Sequence, residues 1–174
     1  ILGDPRRDKS EALLRAFGQF VDSLGGRYIT AEDSGTSVAD MDLISVETNH
    51  VCGVSAFAGG SGDPSPVTAW GVFHGIRAAC EQVFGSDSLE GRRVAVQGVG
   101  NVGSNLVRYL TEVGAKTVIC DVDEDRLQQV HEAHGSTIVS LDAIYSEEVD
   151  VFAPCALGGV LNDDTIPQLK CPII

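Results

Sequence analysis

The run from residue 93 to residue 121, RVAVQGVGNVGSNLVRYLTEVGAKTVICD, constrains the fold more than any other stretch of the chain. An apolar strand, VAVQ, leads straight into Gly98, Gly100 and Gly103. SNLVRYLTEVGA continues as a helix, and a second strand, TVIC, ends beside Asp121. Downstream, STIV and VDVFA are further β-rich runs separated by helical segments. Strand–helix–strand repetition with near-continuously apolar strands implies a parallel sheet covered on both faces.

Each residue of the turn has a physical task. Gly98 permits the tight turn, Gly100 lets backbone approach a diphosphate that a Cβ would push away, and Gly103 lets the helix lie close to the strand. The helix start offers unpaired N–H groups and the positive end of its dipole. Asp121 stands close to the ~20 residues onward where an acid binds the adenosine ribose hydroxyls. Such an acid repels a 2′-phosphate, so NAD is expected over NADP. The VDED that follows adds negative charge, with no basic residue until Arg126. A turn kept only for packing is the alternative, but motif, flanks and acid agree. The expected fold class is therefore α/β, a Rossmann-type doubly wound parallel sheet, truncated at its C-terminal end.

Composition narrows the function classes. A formal net charge of −13 over 174 residues argues against a nucleic-acid surface but not against small anions held by backbone amides. No stretch approaches the ~20 apolar residues of a membrane span. The five cysteines (Cys52, Cys80, Cys120, Cys155 and Cys171) are scattered and form no C-x-x-C pair, as expected of reduced thiols in a cytoplasmic protein. His131 and His134 lie one helical turn apart without a third ligand, so no metal site is expected. The opening ILG resembles the end of a strand and the closing KCPII the start of one, which suggests a fragment.

Upstream of the glycine turn, DKSEALLRAFGQFVDSLGG has the spacing of an amphipathic helix. Asp8 and Glu11 resemble a capping box, Gly25-Gly26 supplies a stop, and Leu13, Phe17, Phe20, Val21 and Leu24 form the expected buried face. RYIT and HVCGVS read as short strands, with a helix from about Ser37 through Glu47 between them. The Gly/Ser/Pro-dense AGGSGDPSP marks a boundary, giving domains 1–65 and 66–174. Pro66 suits the first turn of a long helix that ends at Gly85.

Several residues are open to two readings. Asp33, in TAEDSGT, is either a helix cap or an acid–base group, and Thr68 is similarly ambiguous. Glu32, Asp40 and Asp42 read as solvated or structural. Cys155, in the strand-end loop CALGG, is either a nucleophile or a small residue packed beside a cofactor, and the absence of a nearby histidine favours packing. Asn162 either makes a polar contact or caps the helix after it.

The strings GDPRRDKSEALLRAFGQFVDSLGGRYITAEDSGTSVADMD, GDPSPVTAWGVFHGIRAA, SLEGRRVAVQGVGNVG and DVFAPCALGGVLNDDTIPQL closely resemble the glutamate/leucine/phenylalanine/valine dehydrogenase family, nearest its leucine-specific members. The similarity runs over essentially the whole chain. It implies NAD-dependent oxidative deamination of a hydrophobic L-amino acid to a 2-oxo acid and ammonia, by a homo-oligomer with a substrate domain and a Rossmann domain. Under this resemblance Asp33 is the proton-transferring aspartate and Thr68 lies near the nicotinamide end of the cofactor. Gly98, Gly100, Asn101, Val102 and Gly103 form the diphosphate turn, and Asp121 is the ribose contact. Cys155 and Ala156 lie beside the cofactor. Ala31 and Cys52 fall in the substrate pocket, Cys52 where leucine-specific members commonly carry threonine.

The resemblance also implies a GGGK segment with a catalytic lysine, and a second lysine for the substrate carboxylate, both upstream of Ile1. Lys9, Lys116 and Lys170 match neither. The chain alone is then expected to bind NAD weakly and not to turn over substrate. A non-catalytic NAD-sensing module is the alternative function, but a sensor has no chemical need for Asp33.

Overall fold

Strand β1, Arg93–Gln97, buries every residue after its first, as does β2, Lys116–Cys120. These belong to the computed structural model, which describes residues 3–174. The expected end of a strand at Ile1 and Leu2 lies outside the described residues. With β3 (Thr137–Ile138) and β4 (Val151–Pro154) the strands make a sheet ordered β3-β2-β1-β4, parallel at every pairing. This is the α/β parallel sheet expected from the sequence, and its strand order is that of a Rossmann-type fold.

Alternation along the central strands separates two layers. Val94, Val96 and Ile119 face a core completed by helices α4 (Ser65–Phe84) and α5 (Asn101–Glu112), with Phe73, Leu106 and Leu110 among its members. Helix α6, Glu124–His134, adds Leu127 and Val130. Ala95, Val118 and Cys120 face the other way, onto Ile144, Tyr145 and Phe152. In α4 the buried residues Ser65, Ala69, Phe73, Ile76 and Cys80 keep the three-to-four spacing of one helix face. β3 is shorter than STIV suggests: only Thr137 and Ile138 pair, both exposed. Near the last residue, Ile173 forms a parallel bridge with Val151.

The chain divides into two compact units, Ile1–Pro64 and Ser65–Ile174. The first holds α1 (Pro5–Asp8), α2 (Glu11–Ser23) and α3 (Val38–Ser45), and α2 and α3 enclose a small core of Leu14, Met41 and Ile44. Three expectations are corrected here. Ser10, not Asp8, caps α2, its side chain accepting from the Leu13 N–H at 3.2 Å. Asp8 instead accepts from the Asp4 N–H and pairs with Arg7, inside the turn that Pro5 begins. RYIT and HVCGVS do not form strands but meet at one parallel bridge, Thr30 with Val51. Tyr28 and Ile29 are exposed, and β propensity without a partner strand leaves no ladder.

Third, the buried face of α2 differs from the expected one. Leu14, Gly18 and Val21 are buried, while Leu13, Phe17 and Phe20 are exposed. Gly18 explains the rotation: a Cβ there would stand 2.8 Å from the carbonyl oxygen of Ile44. Helix α3 comes closest where α2 has no side chain, and that contact sets the buried line.

Candidate functional site

The glycine turn follows β1 directly. Gly98 has φ +89°, a left-handed conformation that a side chain rarely adopts, and a Cβ on it would stand 2.7 Å from the Ala156 nitrogen. A Cβ on Gly103 would fall 1.9 Å from the carbonyl oxygen of Gly98. These two glycines are closed in by backbone, one by the loop after β4 and one by the turn itself. Gly100 differs: its Cβ would meet only the Arg126 Nη1, at 3.5 Å. The turn is therefore sealed on the protein side and open at Gly100.

Gly100 is also the N-cap of α5 and offers no side-chain acceptor. The first helical hydrogen bond runs from the Ser104 N–H to the Gly100 carbonyl, at 2.9 Å. The amides of Asn101, Val102 and Gly103 precede it and lie at the positive end of the helix dipole.

Asp121 leaves β2 beside this turn. Its Oδ2 accepts from the Val99 N–H at 2.6 Å and its Oδ1 from the Asp123 N–H at 2.9 Å. The candidate ribose acid thus also fixes the glycine turn, a role that no spacing rule points to. The Cys155 N–H donates to the Gln97 carbonyl at 2.8 Å, which draws the loop after β4 against the turn. Burial pushes the Cys155 thiol up to about 11, so it is protonated near neutral pH and packs as a small apolar group. Asn162 caps the turn after this loop, its Oδ1 accepting from the Asp164 and Thr165 N–H groups at 2.9 and 3.1 Å.

The structure thus brings Gly98, Gly100, Asn101, Val102, Gly103, Asp121, Cys155 and Ala156 to one end of the sheet. Thr68 stands on another element, exposed in the first turn of α4. The Tyr109 hydroxyl donates to the Pro66 carbonyl at 3.3 Å and so ties that turn to α5. Sequence reading passed over Gln97, which is buried and donates from Nε2 to the Tyr145 hydroxyl at 2.6 Å. Its partner lies far along the chain, so no local pattern marks it.

In the first unit the bridge of Thr30 with Val51 sets Ala31 and Cys52 at the same end of the two segments, both exposed. Asp33 follows. Its N–H donates to the Thr36 Oγ1 at 2.8 Å, and its carbonyl accepts from the Thr36 N–H and Oγ1 at 2.9 and 2.7 Å. The carboxylate is exposed and accepts from the Ser34 N–H at 2.7 Å through Oδ1. Asp33 does not cap α3, since Ser37 and Asp40 form that capping box.

Asp40, in turn, is buried and structural. Burial alone would raise its pKa, but hydrogen bonds from Lys9 and Ser37 outweigh it and hold the carboxyl below the usual aspartate range. Glu32 is shifted the other way, by burial and then by the nearby carboxylates of Asp63 and Asp40. Asp42 accepts from the Ser55 N–H at 2.8 Å. His131 bonds the Ser136 carbonyl through Nδ1 at 2.6 Å. Among the described residues no helix is long and apolar enough to cross a membrane.

A family model described as glutamate/leucine/phenylalanine/valine dehydrogenase matches residues 59–125. The chain is 56% identical over 174 residues to leucine dehydrogenase of Geobacillus stearothermophilus, covering 100% of this chain and 47% of that protein. It is 50% identical over 177 residues to valine dehydrogenase of Streptomyces virginiae, covering 100% of this chain and 49% of the other. The crystal structure of L-tryptophan dehydrogenase from Nostoc punctiforme superposes with a TM-score of 0.71 at 46% identity, over 95% of this chain and 47% of that one. The chain thus spans about half the length of the curated relatives it matches.

Proposed function

The chain belongs to the glutamate/leucine/phenylalanine/valine dehydrogenase family, and on that premise we propose that its protein carries out NAD-dependent oxidative deamination of a hydrophobic, leucine-type L-amino acid to the 2-oxo acid and ammonia. The observation that carries the cofactor part is the glycine turn. It is closed by backbone at Gly98 and Gly103 and open at Gly100, with the first amides of α5 beside the opening. That shape suits a dinucleotide diphosphate better than a turn kept for packing, which has no need of a third glycine whose only near neighbour is the tip of a long side chain.

The roles follow residue by residue. The amides of Asn101, Val102 and Gly103 hold the diphosphate, Asp121 takes the ribose hydroxyls, and Cys155 with Ala156 walls the site. The chemistry that a bound NAD would supply is a hydride acceptor for the substrate Cα. Asp33 holds and moves the proton at the substrate nitrogen. Its Oδ1 is steadied by the Ser34 N–H and its backbone by Thr36, which leaves Oδ2 for the amine. Thr68 contributes a polar contact at the nicotinamide end, and Ala31 and Cys52 shape the substrate pocket. Lys9 is engaged with Asp40, which keeps it out of the chemistry. Assembly as a homo-oligomer in the cytoplasm belongs to the same proposal, on the family likeness.

The experiment is a panel of aliphatic and aromatic L-amino acids assayed with NAD on the full-length protein. Amino-acid-dependent NADH formation, strongest for leucine-type side chains, is expected. In Asp33→Asn this activity should be nearly abolished while NADH binds as before. Turnover of no amino acid would end the proposal, and near-normal turnover in Asp33→Asn would remove that residue from the mechanism.

A further inference from the structure

Arg126 is a cation in an unfavourable place. It lies in the first turn of α6, where the helix dipole presents its positive end. The Asp123 side chain caps this turn by accepting from the Arg126 backbone N–H at 3.1 Å, not from its guanidinium. Asp121 likewise accepts from backbone amides, those of Val99 and Asp123, and not from the guanidinium. The other four arginines of this unit are each held in an ion pair: Arg77 with Asp87, Arg92 with Asp150, Arg93 with Glu147 and Arg108 with Glu112. Among the described residues Arg126 forms none, although Asp121, Asp123, Glu124 and Asp125 are its near neighbours in sequence.

Its guanidinium goes instead to the open side of the glycine turn, with Nη1 3.5 Å from where a Cβ on Gly100 would stand. Gly100 is the position through which a diphosphate would reach the backbone. Four carboxylates within a few residues would repel that diphosphate unless a cation stood over the opening. A guanidinium is suited to the task, since its planar fork matches phosphate oxygens and carries a permanent charge.

We propose that Arg126 is a cofactor-binding residue that closes the open side of the turn and neutralises the diphosphate of the dinucleotide. This rests on the dinucleotide reading given above. The guanidinium serves the diphosphate, which NAD and NADP share, and not the 2′-phosphate that distinguishes them.

The test is a set of equilibrium titrations on the full-length protein, following NADH and NADPH fluorescence and displacement by ADP, at low and high salt. Arg126→Ala is expected to weaken NADH and ADP alike by about tenfold at low salt, the scale of one exposed charge-assisted contact. The gap should narrow at high salt through screening. Arg126→Lys should recover most of the loss, and the NADH-to-NADPH preference should stay constant. The melting temperature should not fall, because a cation leaves a helix start. Unchanged NADH and ADP affinity, a loss confined to NADPH, or a large drop in melting temperature would each overturn the assignment. If the unmodified protein bound neither NADH nor ADP, the dinucleotide reading itself would fail, an outcome distinct from failure of Arg126 alone.

Discussion

Alanine at Gly103 and alanine at Gly100 should have opposite consequences, and the contrast separates a binding turn from a packing turn. At Gly103 the new methyl would fall 1.9 Å from the Gly98 carbonyl oxygen. A normal carbon–oxygen contact requires the turn to move by more than an ångström, and both atoms are tied to backbone. Overpacking of this kind costs about 1–3 kcal/mol. The gain of about 1 kcal/mol from replacing a helical glycine offsets part of it. The net destabilisation, up to about 2 kcal/mol, corresponds to a melting temperature lower by up to about 8 °C for a chain of this size. At Gly100 the methyl meets only the flexible tip of Arg126 at 3.5 Å, and the backbone angles of φ −63° and ψ −160° suit alanine. The only structural cost is a poorer N-cap, below about 1 kcal/mol. Binding should report the reverse order of specificity. Gly100→Ala should lose NADH affinity by tenfold or more with almost no change in melting temperature. The assays are differential scanning calorimetry and NADH fluorescence titration on the full-length protein. A Gly100→Ala variant that binds NADH normally would refute the claim that the turn is open there for a ligand.

Three further outcomes are expected. Asp121→Ala should lower stability by about 1–2 kcal/mol, because the amide of fully buried Val99 loses its acceptor, and should weaken NADH binding as well; an unchanged melting temperature would show that this hydrogen bond is dispensable. Asp40→Ala should destabilise the first unit by about 3 kcal/mol, since it strips Lys9 of its partner and α3 of its capping box, measurable by chemical denaturation. The Asp40 pKa is lowered in the folded state, so its contribution is present above the ordinary aspartate value of about 3.9 and is lost as pH falls through the lower folded value; an acid-denaturation midpoint equal in Asp40→Asn and the parent would contradict this. For the thiols, alkylation followed by mass spectrometry near pH 8 should label exposed Cys52 long before Cys155, whose pKa of about 11 leaves roughly one thiolate in a thousand. Equal labelling rates would mean that the loop after β4 is not closed over Cys155.

What the sequence alone determined was local. The βαβ unit from Arg93 to Asp121 was legible because strand, turn and helix each write their pattern in adjacent residues: continuous apolar runs, spaced glycines, a three-to-four period. Helix α4 was legible for the same reason, and so were the cluster of turn residues and the acid after β2. What only the tertiary structure decided was which of several locally allowed choices wins. The apolar face of α2 turned on one glycine, Gly18, meeting the Ile44 carbonyl of another helix. RYIT and HVCGVS kept one bridge because a strand needs a partner along its whole length. The second duty of Asp121 at Val99, the bond from Gln97 to Tyr145, and the reach of Arg126 over Gly100 all join residues distant in the chain. Such contacts depend on how the backbone returns upon itself, and no window of neighbouring residues encodes that return.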